Sequence, residues 1–210
     1  MSRTGEIRSN LKLAWSEAPY YEQAESAEWL EPFWGTQSAF LELFNQLNLD
    51  AVVDLACGRG RHTAQFIERA GHVSLIDYNE SNIAACKARF QGVSNASVFV
   101  NSGNNIPLND CSQTAIFSYD AMVHFEATDV IAYVQEVARI LKTGGLALLH
   151  YSNYQGNPTG SYQDNPAWRN FFSEQMMLHF ANRAGLKVIQ SRVFDWFEAK
   201  QSDALILLQK

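Results

Sequence analysis

A chain of 210 residues fits one domain over 1–210, and at that length about 70% of the unfolded surface can leave water, so the core needs neither disulfides nor a structural metal. Lys and Arg number 16 against 22 for Asp and Glu, and the resulting net charge of −6 argues against nucleic acid as a partner, because phosphate binding draws on clustered cations. Cys57, Cys86 and Cys111 are scattered without a CxxC pair, no apolar run reaches the roughly 18 residues that span a bilayer, and the polar opening MSRTGEIRSN is no signal peptide, so the expectation is a soluble cytoplasmic protein with no metal and no membrane partner.

Residues 1–37 come first and are dense in aromatics, with Trp15, Tyr20, Tyr21, Trp29, Phe33 and Trp34, which makes them a candidate cap or lid. From residue 38 onward short apolar runs alternate with helical patterns, the signature of an α/β protein whose sheet is covered by helices on both faces. Phe40, Leu43, Phe44 and Leu47 follow the i, i+3, i+4, i+7 spacing of a helix with one apolar face. Buried strands are predicted at 51–56, 72–77, 96–101, 114–119, 145–151, 187–194 and 204–208, seven in all. Helices are predicted at 63–70, 80–90, 129–141 and 168–184. The polar stretch 152–167 interrupts the alternation, and a connection of that length is usually functional.

The most informative segment is AVVDLACGRGRHT, in which a buried strand runs through Cys57-Gly58-Arg59-Gly60 into the next element. In a parallel sheet the carboxyl ends of the strands form the ligand crevice, and glycine lets the backbone approach a nucleotide-like molecule there. Asp77 ends the next strand, 23 residues after Asp54, close to the spacing at which a carboxylate reaches a ribose diol. The third position of a dinucleotide GxGxxG is Thr63, and Asp54 would repel a pyrophosphate while accepting hydrogen bonds from an ammonium. A ligand with a ribose, an adenine and a cationic amino-acid end suits these charges, as S-adenosylmethionine does.

At these residues the chain resembles the class I S-adenosylmethionine-dependent methyltransferases, over about 38–210. The resemblance rests on VVDLACGRGRHT, on LIDYN (75–79) for the ribose acid, on SGNNIPL (102–108) for the adenine loop and on LKTGG (141–145) before the fifth strand. It implies a Rossmann-like, doubly wound, mostly parallel sheet of seven strands, with S-adenosylmethionine as cofactor and S-adenosylhomocysteine as product. It further implies that Asp54, Gly58 and Gly60, with the backbone of Ala56 and Cys57, line the methionine half. By the same resemblance Asp77 binds the ribose with Tyr78 beside the adenine, Asn104, Asn105 and Ile106 bracket the adenine, and Tyr119 lies under the sulfonium. Ala56 stands where the family has its first alternating glycine, which makes this turn bulkier.

Methyl transfer to a hydroxyl calls for a base, and two histidines end predicted strands, His124 and His150. Asp120 and His124 are four apart, so on a short helix the acid could orient the imidazole. Tyr151, Asn153, Tyr154, Tyr162, Asp164, Trp168 and Arg169 offer the hydroxyls, amides and stacking surfaces expected around a small or glycan-like acceptor, with Trp15, Tyr20 and Tyr21 as the lid. Expected on this reading is O-methylation of such an acceptor. N-methylation of a small amine and a non-catalytic cofactor-binding module are the alternatives, and an NAD-dependent oxidoreductase is disfavoured by Thr63 and by the lack of a YxxxK pair.

Overall fold

The computed structural model describes residues 3–16 and 20–210. Three helices open the chain, α1 (Arg3–Ala14), α2 (Tyr20–Gln23) and α3 (Ala27–Trp34), followed by α4 (Ala39–Phe44). Then come β1 (Val52–Leu55), β2 (Val73–Asp77), α5 (Glu80–Arg89), β3 (Ala96–Val100), β4 (Gln113–Ser118), α6 (Ala127–Ile140), β5 (Leu141–Ser152), α7 (Glu174–Arg183), β6 (Lys187–Trp196) and β7 (Ala199–Gln209). The strands form one sheet in the order β3-β2-β1-β4-β5-β7-β6. All pairs are parallel except those of β7, which runs antiparallel to both β5 and β6. The strand order reverses between β1 and β4, and a ligand crevice belongs at the carboxyl ends of those strands.

Alternation of side chains along each strand builds two cores. Val53, Leu55, Ile116, Leu149 and Ile206 point to the face covered by α6 and α7 through Val130, Val134, Val137, Met177 and Ala181. Val52, Ala115, Phe117, Leu148 and Leu205 point to the other face, under Phe33, Phe40, Leu43, Phe44 and Ile83. The helices start where short polar side chains can cap them: Ser38 Oγ accepts the N–H groups of Phe40 and Leu41, and Asn79 Oδ1 that of Ser81.

The seven strands and the two-sided cover agree with the sequence reading, with four differences in detail. Residues 63–70 form two 3₁₀ turns, Thr63–Gln65 and Ile67–Arg69, because Phe66 (φ −140°) breaks the helical path. Helix α4 stops at Phe44, before Leu47. The last helix begins at Glu174 and not at residue 168, since Ala167 (φ 50°) and Trp168 (φ 57°) sit in the left-handed region where no right-handed helix passes. Strand β5 absorbs LKTGG and runs from Leu141.

Candidate functional site

A cavity of ≈ 710 Å³, its open mouth included, lies at the carboxyl ends of β1, β2 and β4. Its floor is the turn after β1, its flanks are Asp77 and Tyr78 on one side and Tyr119, Asp120 and His124 on the other, and its roof is the N-terminal strap with Leu11, Trp15, Tyr20 and Tyr21. A smaller cleft sharing Ala56, Asp77 and Tyr78 extends towards Asn101 and Gly103.

The turn is tight. Ala56 (φ 57°), Gly58 (φ 54°) and Gly60 (φ 79°) are all left-handed, and a Cβ on Gly60 would meet the Phe90 ring at 2.6 Å. Ala56 holds that conformation with a side chain, at a cost of roughly 1–2 kcal/mol. Behind the turn the thiols of Cys57 and Cys86 lie 3.9 Å apart, and Cys86 Sγ donates to the Gly58 carbonyl.

Asp77 is 5% exposed and holds the turn in place: Oδ2 accepts the Gly58 N–H (2.9 Å), while Oδ1 accepts the Asn79 N–H (2.8 Å) and Asn82 Nδ2–H (3.4 Å). Burial pushes its carboxyl up to about 6 against these donors. Asn82 also donates to the Tyr21 hydroxyl, and its Oδ1 is buried with no partner. Sequence reasoning misses Asn82. Its signal is a polar residue of weak helix propensity in the first turn of α5, five places after the strand-end acid.

On the far flank Asp120 (φ 53°) accepts from Arg61 Nη2 (2.9 Å) and from the Tyr20 hydroxyl, so it pairs with Arg61 and not with His124. The expected Asp120–His124 dyad is therefore not formed. A single 3₁₀ turn, Met122–His124, follows β4, and the i, i+4 alignment needs a full α-helical turn. His124 Nδ1 instead donates to the Trp168 carbonyl at 2.7 Å, since a carbonyl can only accept, which leaves the lone pair on Nε2. Burial pushes the imidazole down to about 4, with the Arg169 charge adding to the effect, so the ring is neutral at pH 7. Trp15 packs on it at 5.2 Å between ring centroids.

Several expected residues lie elsewhere. Asp54 points to the α3–α4 face of the sheet, where Oδ2 accepts the Thr63 hydroxyl at 2.7 Å, and burial pushes its carboxyl up to about 7. It does not reach the cavity, and Gly60 lies beneath the cavity floor, against Phe90. Asn104 and Asn105 accept hydrogen bonds from Ser102 within their own loop and Ile106 is in the core, so the smaller cleft is walled by Asn101 and Gly103 instead.

His150 is fully buried. It shares strand parity with Leu148, so it points into the α4 side, where Nδ1 accepts the Asp120 N–H (3.1 Å) and Nε2 bonds Asp203 Oδ2 (2.6 Å). With both ring nitrogens engaged and no path to the cavity, it is a structural histidine. Arg169 is buried against the same Asp203 through Nε and Nη2. Although burial raises the Asp203 carboxyl, His150 and Arg169 hold it well below the usual carboxylate range. Tyr151 packs in the core on Phe172 and Tyr154 lines a separate surface hollow, whereas Trp168, 42% exposed and 5.8 Å from Trp15, and Tyr162, 6.2 Å from His124, stay beside the cavity mouth.

The strap is latched at many points. Arg8 pairs with Asp129 and Lys12 with Glu80, Tyr78 donates to the Arg8 carbonyl, and Arg61 reaches the Ala24 carbonyl at 3.1 Å. Among the described residues no group of three or more His, Cys, Asp or Glu could hold a metal ion, and no helix is long and apolar enough to cross a membrane.

Residues 52–145 match the family described as Methyltransferase domain. A protein of Mycolicibacterium smegmatis described as "Probable S-adenosylmethionine-dependent methyltransferase" is 28% identical over 104 residues, which is 49% of this chain and only 38% of that protein. Among solved structures, one described as "Complex between the Haloferax volcanii Trm112 methyltransferase activator and the putative methyltransferase" aligns with a TM-score of 0.70 at 18% identity, covering 94% of this chain and 96% of the other. Geranyl diphosphate C-methyltransferase from Streptomyces coelicolor A3(2), solved with Mg2+, geranyl diphosphate and S-adenosyl-L-homocysteine, aligns at 0.69 and 16% identity over 92% and 84%. At such identities the structural likeness is one of fold.

Proposed function

We propose, from the premise that this chain is a class I S-adenosylmethionine-dependent methyltransferase, that it binds S-adenosylmethionine in the roofed cavity and methylates a hydroxyl of a small or glycan-like acceptor on the Asp120–His124 flank. The observation that carries the cofactor assignment is the set of acceptors around Asp77. A carboxylate offers about four lone-pair positions, and Gly58, Asn79 and Asn82 take three of them. One remains on a carboxyl that lines the cavity, and Asn82 lies beside it in the same wall, so the pair is placed to receive the hydroxyls of a ribose. Tyr78 and the cleft at Asn101 and Gly103 are then the place for the adenine, with the Gly58 turn under the methionine half.

The bound cofactor supplies a methyl group activated by a sulfonium. The chain aligns the acceptor and excludes water, which is the role of the strap as lid and of 152–167, with Trp168, as acceptor-side wall. His124 Nε2 takes the proton of the acceptor hydroxyl, its orientation fixed by the bond to Trp168. One observation favours N-methylation of a small amine as a second reading: an imidazole pushed down to about 4 is a weak base for an alcohol, whereas a neutral amine needs no base.

Calorimetric titration with S-adenosylmethionine and S-adenosylhomocysteine, with NAD as control, tests the cofactor, and labelled methyl transfer to hydroxylated and amine acceptors tests the chemistry. Binding of NAD alone overturns the assignment.

A further inference from the structure

Cys57 and Cys86 stand 29 residues apart in the chain, on the turn after β1 and on α5, and the fold brings their sulfurs to 3.9 Å. They meet at the floor of the cavity: Cys57 lines it, and Cys86 is fully buried behind. Both thiols donate to one acceptor, the Gly58 carbonyl, which lies 3.6 Å from Cys57 Sγ and 3.2 Å from Cys86 Sγ. Gly58 is also the left-handed residue whose N–H is held by Asp77, so the sulfurs touch the residue on which the ribose acid depends. The methyl transfer described above uses neither thiol. A disulfide spans about 2.05 Å between sulfurs, so the approach that remains is roughly 1.9 Å and falls to rotation of the two side chains.

We propose that Cys57 and Cys86 are a redox modification site, a dithiol that a peroxide converts to a disulfide under the glycine turn, and that this bond weakens cofactor binding. The second half rests on the cofactor assignment above. A peroxide entering through the cavity meets Cys57 first. The Cys57 sulfur attacks a peroxide oxygen, the O–O bond breaks, and Cys57 S–OH and water result. The Cys86 sulfur then attacks the Cys57 sulfur; the S–S bond forms, the S–O bond breaks, and the departing hydroxide takes the Cys86 proton as a second water. Two thiols are oxidised and one peroxide is reduced. Burial pushes the Cys57 thiol up, so the first step is slow at neutral pH, and a ligand filling the cavity blocks it. The product has no S–H, so the Gly58 carbonyl loses both donors, and the new bond draws the turn towards α5.

The test uses Cys111→Ser protein, so that the exposed thiol cannot join two copies. After treatment with hydrogen peroxide the intact mass is expected to fall by about 2 Da, and digestion without reductant to yield peptides joined through Cys57 and Cys86. Calorimetric titration is expected to show S-adenosylhomocysteine bound at least about tenfold more weakly by the crosslinked protein, with affinity restored by dithiothreitol and crosslinking slowed by S-adenosylhomocysteine added first. Cys86→Ala in the same background keeps its affinity through the treatment, and Cys86→Val takes its place if that protein does not fold. An unchanged mass, or a gain of about 16 or 32 Da from sulfenic or sulfinic acid without joined peptides, overturns the site. A crosslinked protein within about threefold of the reduced one, or an equal loss in Cys86→Ala, overturns the coupling to the cofactor. Reduced protein that binds no S-adenosylhomocysteine overturns the cofactor assignment and that coupling, and the joined peptides then decide the dithiol by themselves.

Discussion

Replacing Asp77 with Asn isolates the group on which the cofactor assignment turns. The carboxylate is tied to the glycine turn by the Gly58 N–H and to the start of α5 by the Asn79 N–H, both at charge-assisted distances. An amide has one oxygen, so the Asp77→Asn side chain satisfies one of these donors and turns its NH2 against the other. The ribose loses a charged acceptor, a loss of about 1.5–3 kcal/mol, or roughly 10- to 150-fold in dissociation constant. The fold loses less, since one orphaned N–H is partly offset by no longer burying a carboxylate. Titration of wild type and Asp77→Asn with S-adenosylhomocysteine, alongside thermal melts, measures both effects. A pH series adds a second arm. With the wild-type carboxyl near 6, it is ionised above pH 6 and about nine-tenths protonated at pH 5, so affinity falls roughly tenfold between pH 7 and 5, whereas Asp77→Asn has no such slope. A variant within threefold of wild type, or a wild-type affinity flat over that range, refutes the ribose role.

Other outcomes follow from the same geometry. His124→Ala should lower methyl transfer to a hydroxyl acceptor by about 10² while leaving S-adenosylhomocysteine affinity within a few-fold, and equal turnover would shift the balance to an amine acceptor. Ala56→Gly relieves a left-handed alanine and should stabilise the protein by about 0.5–1 kcal/mol after the extra entropy of an unfolded glycine, read as a higher Tm. Asp203→Asn leaves Arg169 and His150 facing an amide in a buried site and should cost about 3–5 kcal/mol in denaturant unfolding; a loss under 1 kcal/mol would show the network to be dispensable.

The sheet is legible in the sequence because each strand is a short apolar run, and buried strands of a parallel sheet are recognisable by composition alone. The glycine turn and Asp77 are legible because Gly58 and Gly60 take up left-handed backbone and the acid that ends the next strand accepts the Gly58 N–H. What escapes depends on direction and not on residue type. His150 has the chemistry of a base, but its strand parity sends it into the core beside Phe40, and no local pattern reveals where β5 starts its alternation. Spacing makes Asp120 look like the partner of His124, whereas its positive φ turns it towards Arg61, 59 residues earlier. Arg169 reads as a loop cation for an acceptor, and only the antiparallel return of β7 brings Asp203 to bury it.

The roof has a consequence for the order of assembly. Arg8 is bound to a carboxylate 121 residues downstream, Tyr20 to one 100 downstream, and Tyr21 to an amide 61 downstream. None of those anchors exists until β1, β2 and β4 have paired, and contacts so far apart in the chain form late. The strap therefore waits, although ribosomes make it before any strand. Hydrogen exchange should find it the first segment to open and the last to close, so that the cavity is finished only when the segment that precedes every strand has come to rest.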